Sequence, residues 1–208
     1  ELDMRKSIYL IIITVLATLL WACNPTGDQS TVKNDVQPSA MSAELVLFDF
    51  GLKAPVSEWR TVNDTVMGGV SSSRMLQTDG GNALFVGTVS LDNNGGFASV
   101  RGPSMKDSIG EFEGIAVRIR GDGKKYKIGL RTDEMFDGVF HQADFSSQSG
   151  QWQVVSIPFA DFVPTYHGRR LSDDKRMKPE DINSVSFLIA DKQNGPFRLE
   201  IDWVKAYR

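Results

Sequence analysis

Ile115-Ala116-Val117-Arg118-Ile119-Arg120-Gly121-Asp122-Gly123-Lys124-Lys125-Tyr126-Lys127-Ile128-Gly129-Leu130-Arg131 is the stretch that decides the fold. Ile115, Val117 and Ile119 alternate with Ala116, Arg118 and Arg120; beyond the glycines, Tyr126, Ile128 and Leu130 alternate with Lys127, Gly129 and Arg131. A period of two marks a strand with one buried face, because successive side chains of an extended chain point to opposite sides. Two such runs flanking Gly121-Asp122-Gly123 predict a β-hairpin.

The same signals recur to either side. Leu45, Val46, Leu47, Phe48 and Phe50 open the series, and 82–91, 97–101, 138–145, 151–157, 184–190 and 196–206 continue it. In the last segment Phe197, Leu199, Ile201 and Trp203 share one face, and Arg198, Glu200 and Asp202 the other. Trp152 and Trp203 both fall on apolar faces and are expected in the core. Helical pattern is confined to single turns at 159–162 and 179–181. Many short strands, 19 glycines gathered largely at turns and no long helix give an all-β, antiparallel β-sandwich.

The 208 residues carry a formal net charge of −3. A pI near 5.4 leaves no basic footprint for nucleic acid. Cys23 is the single cysteine, so no internal disulfide is available. It follows Arg5-Lys6 and an apolar run from Ile8 to Leu20. That run is far shorter than the roughly 20 residues of a membrane span and reads as a signal peptide. Leu20-Trp21-Ala22-Cys23 resembles the lipobox of bacterial lipoproteins, which implies acylation of Cys23. Asn24 in place of Asp then favours the outer membrane. The expected organisation is a signal peptide over 1–22, an acylated cysteine and polar linker over 23–43, and one domain over 44–208. The expected location is a bacterial cell envelope, with the membrane engaged through the lipid.

Four ordered blocks carry a second resemblance: Trp59-Arg60-Thr61-Val62-Asn63-Asp64-Thr65-Val66-Met67-Gly68-Gly69-Val70-Ser71, Gly95-Gly96-Phe97-Ala98-Ser99-Val100-Arg101, Trp152 with the run from Val155 to Phe162, and the run from Ile189 to Trp203. Together they resemble the complex I intermediate-associated protein 30 family over about 46–208. The resemblance implies a galactose-binding-like jelly roll, and mitochondrial members act as assembly chaperones for the membrane arm of respiratory complex I.

Several residues are candidates for contact with a partner or ligand. Arg60, Asn63, Asp64 and Ser71 supply a guanidinium fork, an amide, a carboxylate and a hydroxyl suited to a partner's backbone or to sugar hydroxyls. The plainer reading has Asn63 and Asp64 fixing a turn, Gly68-Gly69 allowing positive φ, and Trp59 and Met67 filling the core. Ser99 and Arg101 share a strand face with Phe97, and Arg101, Arg118, Arg120 and Arg131 are expected to line one polar sheet surface; the plain alternative is a solvated face with weak ion pairs. Asp133, Glu134, Asp137, His141 and Asp144 are carboxylate-rich, but their side chains alternate in direction, and Asp49 with Asp202 is a weak calcium pattern. No nucleophile elbow, dinucleotide fingerprint or phosphate loop is present, and no cofactor is expected. The functional expectation is a noncatalytic, lipid-anchored protein that binds a protein partner, with respiratory complex I a candidate, as an assembly factor or chaperone. The alternative is a carbohydrate-binding module recognising glycans.

Overall fold

The computed structural model describes residues 44–51, 55–135 and 137–208. In chain order the strands are β1 (Glu44–Asp49), β2 (Arg60–Thr61), β3 (Ser72–Gln77), β4 (Ala83–Val89), β5 (Ala98–Arg101), β6 (Gly114–Arg120), β7 (Lys125–Arg131), β8 (Phe140–Ser146), β9 (Trp152–Pro158), β10 (Val163–Tyr166), β11 (Arg169–Arg170), β12 (Ser184–Ile189) and β13 (Gly195–Tyr207). They form two antiparallel sheets. One runs β3-β4-β13-β6-β9, with β1 also paired to β13; the other runs β11-β10-β8-β7-β12-β5-β2. Helical geometry among the described residues is limited to short 3-10 turns, including Phe159–Asp161 and Pro179–Asp181 where single turns are expected. The chain is an all-β sandwich.

The core lies between the sheets. Val117, Ile119, Phe85, Leu199 and Ile201 from one sheet meet Val100, Ile128, Leu130, Val185 and Phe187 from the other. Trp59 closes one end: its ring lies 5.2 Å from Phe48, 5.6 Å from Phe50 and 5.7 Å from Phe187, centre to centre. Aromatic groupings of this kind add to the gain from apolar burial alone.

Two sequence expectations fail here. β6 and β7 are not a hairpin. β6 lies between β13 and β9, and β7 lies between β12 and β8 in the opposite sheet. Gly121–Lys124 is therefore a corner that carries the chain across the core, so the apolar faces of the two strands look at each other. Asp122 fixes this corner: its carboxylate accepts hydrogen bonds from Tyr126 Oη at 2.9 Å, Lys124 N at 3.1 Å and Arg198 N at 3.0 Å.

The second failure concerns the tryptophans. A bulge between Ile201 and Trp203 shifts the phase of β13, so Val204 and Ala206 take over the core face. Trp203 turns outward beneath Lys205, whose Nζ is 4.4 Å from the ring centre. An inserted residue reverses every later side chain. Trp152 pairs with Arg120 on the outer face of β9, with the guanidinium groups of Arg118 and Arg120 4.7 and 5.0 Å from its ring centre.

Candidate functional site

The Trp59–Ser71 block leaves β2, passes through the 3-10 turn Asp64–Met67 and enters β3. Its buried centre is Asp64, only 2% exposed. The Asp64 carboxylate accepts four hydrogen bonds: from Ser71 Oγ, Ser71 N (2.9 Å), Gly96 N (2.7 Å) and Phe97 N (3.3 Å). Burial pushes this carboxyl upward, but the hydrogen bonds outweigh it and hold the group below its ordinary value of 3.8. Ser71 Oγ also accepts from Ser90 N at 2.9 Å, tying in a third segment.

Asn63 does the adjacent task. Its Oδ1 accepts from Ser73 Oγ at 2.6 Å and Ser99 N at 3.2 Å, while Ser99 Oγ donates to the Val62 carbonyl. Asn63, Asp64, Ser71 and Ser99 thus converge, but on each other. Gly68 takes the expected positive φ, +91°. Gly69 is needed for another reason: a Cβ there would lie 2.4 Å from Asp64 Cγ.

This polar frame holds an apolar tip. Val66, Met67 and Val70 are 55, 69 and 51% exposed, and Leu91, from the segment leading to Gly96, is 41% exposed. Met67, expected in the core, is among the most exposed apolar side chains described; Trp59 does enter the core. Polar side chains made the motif conspicuous, and the aliphatic residues between them were the signal passed over.

The other end of β5 lines a cleft of about 840 Å³, walled by Glu58, Arg60, Arg101, Ser104, Asp133, Glu134 and their neighbours. Arg60 is opposite Arg101, Arg101 opposite Ser186, and Ser184 opposite Arg131 across successive strands. Arg131 is 6% exposed; its Nη1 donates to the Met135 carbonyl at 3.1 Å, and its guanidinium lies 5.3 Å from the Phe140 ring centre.

The expected single arginine surface is therefore divided. Arg101 and Arg131 belong to the seven-stranded sheet, whereas Arg118 and Arg120 stand on the outer face of the other, where Arg118 pairs with Asp202 and Arg120 Nη2 donates to Glu200 at 2.7 Å. The division follows from the corner at Gly121, which places successive strands in different sheets. The acidic stretch also disperses: Asp133 lies by Arg131, Asp137 by His167, Asp144 by Lys127, and His141 Nε2 lies 2.8 Å from the Lys175 carbonyl oxygen. Asp49 accepts from Gly51 N, while Asp202 is paired with Arg118. No cluster of three or more metal-ligating side chains occurs among the described residues.

The sequence of residues 48–201 matches the family model described as complex I intermediate-associated protein 30. The chain belongs to this family. It is 27% identical over 181 residues to the mitochondrial complex I intermediate-associated protein 30 of Drosophila melanogaster, covering 76% of this chain and 61% of that one. The Mus musculus protein of the same name is 26% identical, covering 83% and 58% respectively. An uncharacterized Schizosaccharomyces pombe protein is 31% identical, covering 78% of this chain and 83% of its own. The chain thus spans about three-fifths of the length of the fly and mouse relatives. Among solved structures, the family 11 carbohydrate-binding module of Clostridium thermocellum, in complex with a mixed-linked tetrasaccharide, superposes with a TM-score of 0.59 at 19% identity, covering 78% of this chain and 94% of the module. An agarase, AgWH50C, gives 0.51 at 14% identity, covering 79% of this chain and 24% of the enzyme. These likenesses establish the sandwich architecture, in the jelly-roll class that the sequence blocks imply.

Membership corrects the expected location. The fly, mouse and Neurospora crassa relatives are named as mitochondrial proteins, which overturns the bacterial-envelope placement read from Cys23. A basic start before an apolar run is shared by several kinds of leader and anchor, so it does not select a compartment. Cys23, the signal segment and the linker lie outside the described residues.

Proposed function

We propose that this domain is a noncatalytic docking module that holds a protein partner during assembly of a membrane-bound respiratory complex, and that the Val66–Met67–Val70–Leu91 tip is its principal contact. The observation that carries the reading is the pairing of a buried, fourfold hydrogen-bonded carboxylate with four aliphatic side chains held in water. A loop that merely connects two strands has no need of a buried charge to fix it. Held rigid, the tip loses little entropy on binding, and each half-exposed aliphatic chain that a partner covers contributes about half of the roughly 1.5–3 kcal/mol of full burial. Residues 65–71 carry no charge, which suits an uncharged apolar protein surface and lacks the cations that an anionic membrane would attract. Asn63, Asp64, Ser71 and Ser99 are the frame in this reading. Family membership supports the choice of partner.

A glycan ligand is the competing reading. Sugar-binding clefts stack rings on exposed aromatic faces, whereas the described residues lining the cleft beside β5 include none. The test is to express the tagged full chain and its Met67→Asp/Val70→Asp variant in cells with a respiratory chain, then resolve complex I intermediates on native gels. The parent protein is expected to comigrate with a subassembly and the variant to lose it with an unchanged melting temperature. Equal comigration of the folded variant would remove the tip from the interface.

A further inference from the structure

The free edge of β9 has a chemistry that the docking tip does not explain. Among the described residues, β1, β2, β3, β9 and β11 each pair on one side only. An open edge offers a row of N–H and C=O groups to any passing strand, and proteins ordinarily blunt it with charge, bulges or brevity. β2 and β11 are two residues long, β3 carries Arg74, and β1 carries Glu44, Asp49 and a register shift between Val46 and Phe48. β9 has none of these devices. Its seven residues, Trp152 to Pro158, include no charge, keep register with β6 throughout, and hold Val154 56% exposed.

The direction of its backbone groups follows from the pairing. Phe159 N donates to the Glu113 carbonyl at 2.8 Å, one step beyond the Gly114–Pro158 pair. Antiparallel pairs alternate, so Gln153, Val155 and Ile157 turn N–H and C=O toward β6, while Val154 and Ser156 turn theirs to the open side. Beside that edge lies an open groove of about 550 Å³, whose apolar lining includes Ala143, Phe145, Val155 and Ile157. Its opposite wall is the part of β8 past Gln142, where pairing with β10 has stopped. Gln153 pins one end: its Nε2 donates to the Ser146 carbonyl at 2.9 Å, and its Oε1 accepts from Gln148 N at 2.7 Å. Asp161 stands exposed at the other end. Asp144, the second carboxylate of the lining, is held by Lys127 at 2.6 Å, and the lining contains no cation.

We infer that β9 is a receptor strand: an extended segment of a protein partner pairs with the Val154 and Ser156 backbone, lays alternate apolar side chains in the groove and brings a lysine or arginine to Asp161. Charge selects this occupant. A second copy of the chain, β9 against β9, would face one acidic groove with another and supply no cation to either, whereas a basic residue in a partner segment meets Asp161. Strand addition takes its affinity from main-chain hydrogen bonds and its selectivity from alternate side chains. Pro158, without an N–H, ends the ladder on the Asp161 side. The site shares no residue with the apolar tip and does not depend on it.

The test uses the full chain and a fluorescein-labelled peptide with an N-terminal lysine followed by three Val-Thr repeats, which antiparallel pairing places with its lysine at Asp161. Saturable anisotropy is expected, with amide exchange at Val154 and Ser156 slowed about tenfold and Met67→Asp binding as the parent does. Ser156→Pro removes the outward N–H without touching the β6 ladder and should weaken binding about tenfold; Ser156→Ala keeps the N–H and should bind normally. Asp161→Asn should weaken the lysine peptide severalfold and leave a peptide with glutamine in place of the lysine unaffected. Absence of saturable binding, equal binding by Ser156→Pro and Ser156→Ala, or protection confined to residues outside β9 would each overturn the site. The exchange pattern of the parent needs no variant and decides the case even where Ser156→Pro melts early. A dimer in sedimentation that Ser156→Pro dissolves would overturn the choice of occupant in favour of a second copy.

Discussion

At the scale of single residues, Asp64 is the position on which most depends. Replacing it by Asn keeps its shape but turns one acceptor into a donor facing either the Ser71 N–H or the Gly96 and Phe97 N–H groups. Loss of charge-assisted hydrogen bonds and a buried donor clash should cost about 2–4 kcal/mol. For a domain of this size the melting temperature should fall by roughly 5–15 °C, as calorimetry would show. The pH dependence has a fixed sign. Because the folded carboxyl sits below its ordinary value of 3.8, its contribution is complete above that value and is lost as pH falls through the lower folded one. Parent stability should therefore drop below about pH 4, and Asp64→Asn should flatten that limb. An acid limb identical in parent and variant would mean that Asp64 is not the charged centre of the loop.

At the scale of elements, the corner between β6 and β7 makes the sharpest demand. A Cβ at Gly121 would lie 2.3 Å from both Cβ and Oγ of Ser147. Ser147 Oγ accepts from Gly123 N at 3.1 Å and donates to the Lys124 carbonyl at 3.0 Å, so it is not free to withdraw. Gly121→Ala should cost about 1–3 kcal/mol by overcrowding, and the penalty should shrink in a Ser147→Gly background. Strict additivity of the two changes would show that the collision is not the cause. The same corner shows what was legible in the sequence. Alternation at Ile115–Ile119 and Tyr126–Leu130 gave the strands and their buried faces correctly, since period two is a local property. It could not give the neighbour of each strand, because a sharp Gly-Asp-Gly turn serves equally to fold back within a sheet or to cross to the opposite one. Trp203 was misplaced because a one-residue bulge has no hydrophobic signature of its own. Met67 was misplaced because a methionine in a motif reads as packing until its burial is known. In the candidate site, the polar residues that converge were recognisable, and their inward-facing role was not.

At the scale of the molecule, the two sheets have different characters. On the outer face of the six-stranded sheet, Arg118, Arg120 and Lys205 are matched by Asp202, Glu200 and Glu44 and lie over indole rings, which leaves that surface internally balanced. The apolar tip and the cleft both border β5 of the seven-stranded sheet. β5 joins them: the loop entering it supplies Gly96 N and Phe97 N to the frame of the apolar tip, and its last residue, Arg101, lines the cleft. Four extended residues cover roughly 13 Å, within the footprint of one protein partner. A partner that places an apolar surface on the tip and a polar group in the cleft would use both ends of one strand. Contacts that far apart with no shared neighbours add in free energy. Met67→Asp and Arg101→Gln should each weaken capture of the partner subassembly by about tenfold, and the double variant by about a hundredfold, measured by titrating purified variants against the isolated subassembly. Full-strength capture by Arg101→Gln would take the cleft out of the interface and confine the partner to the tip.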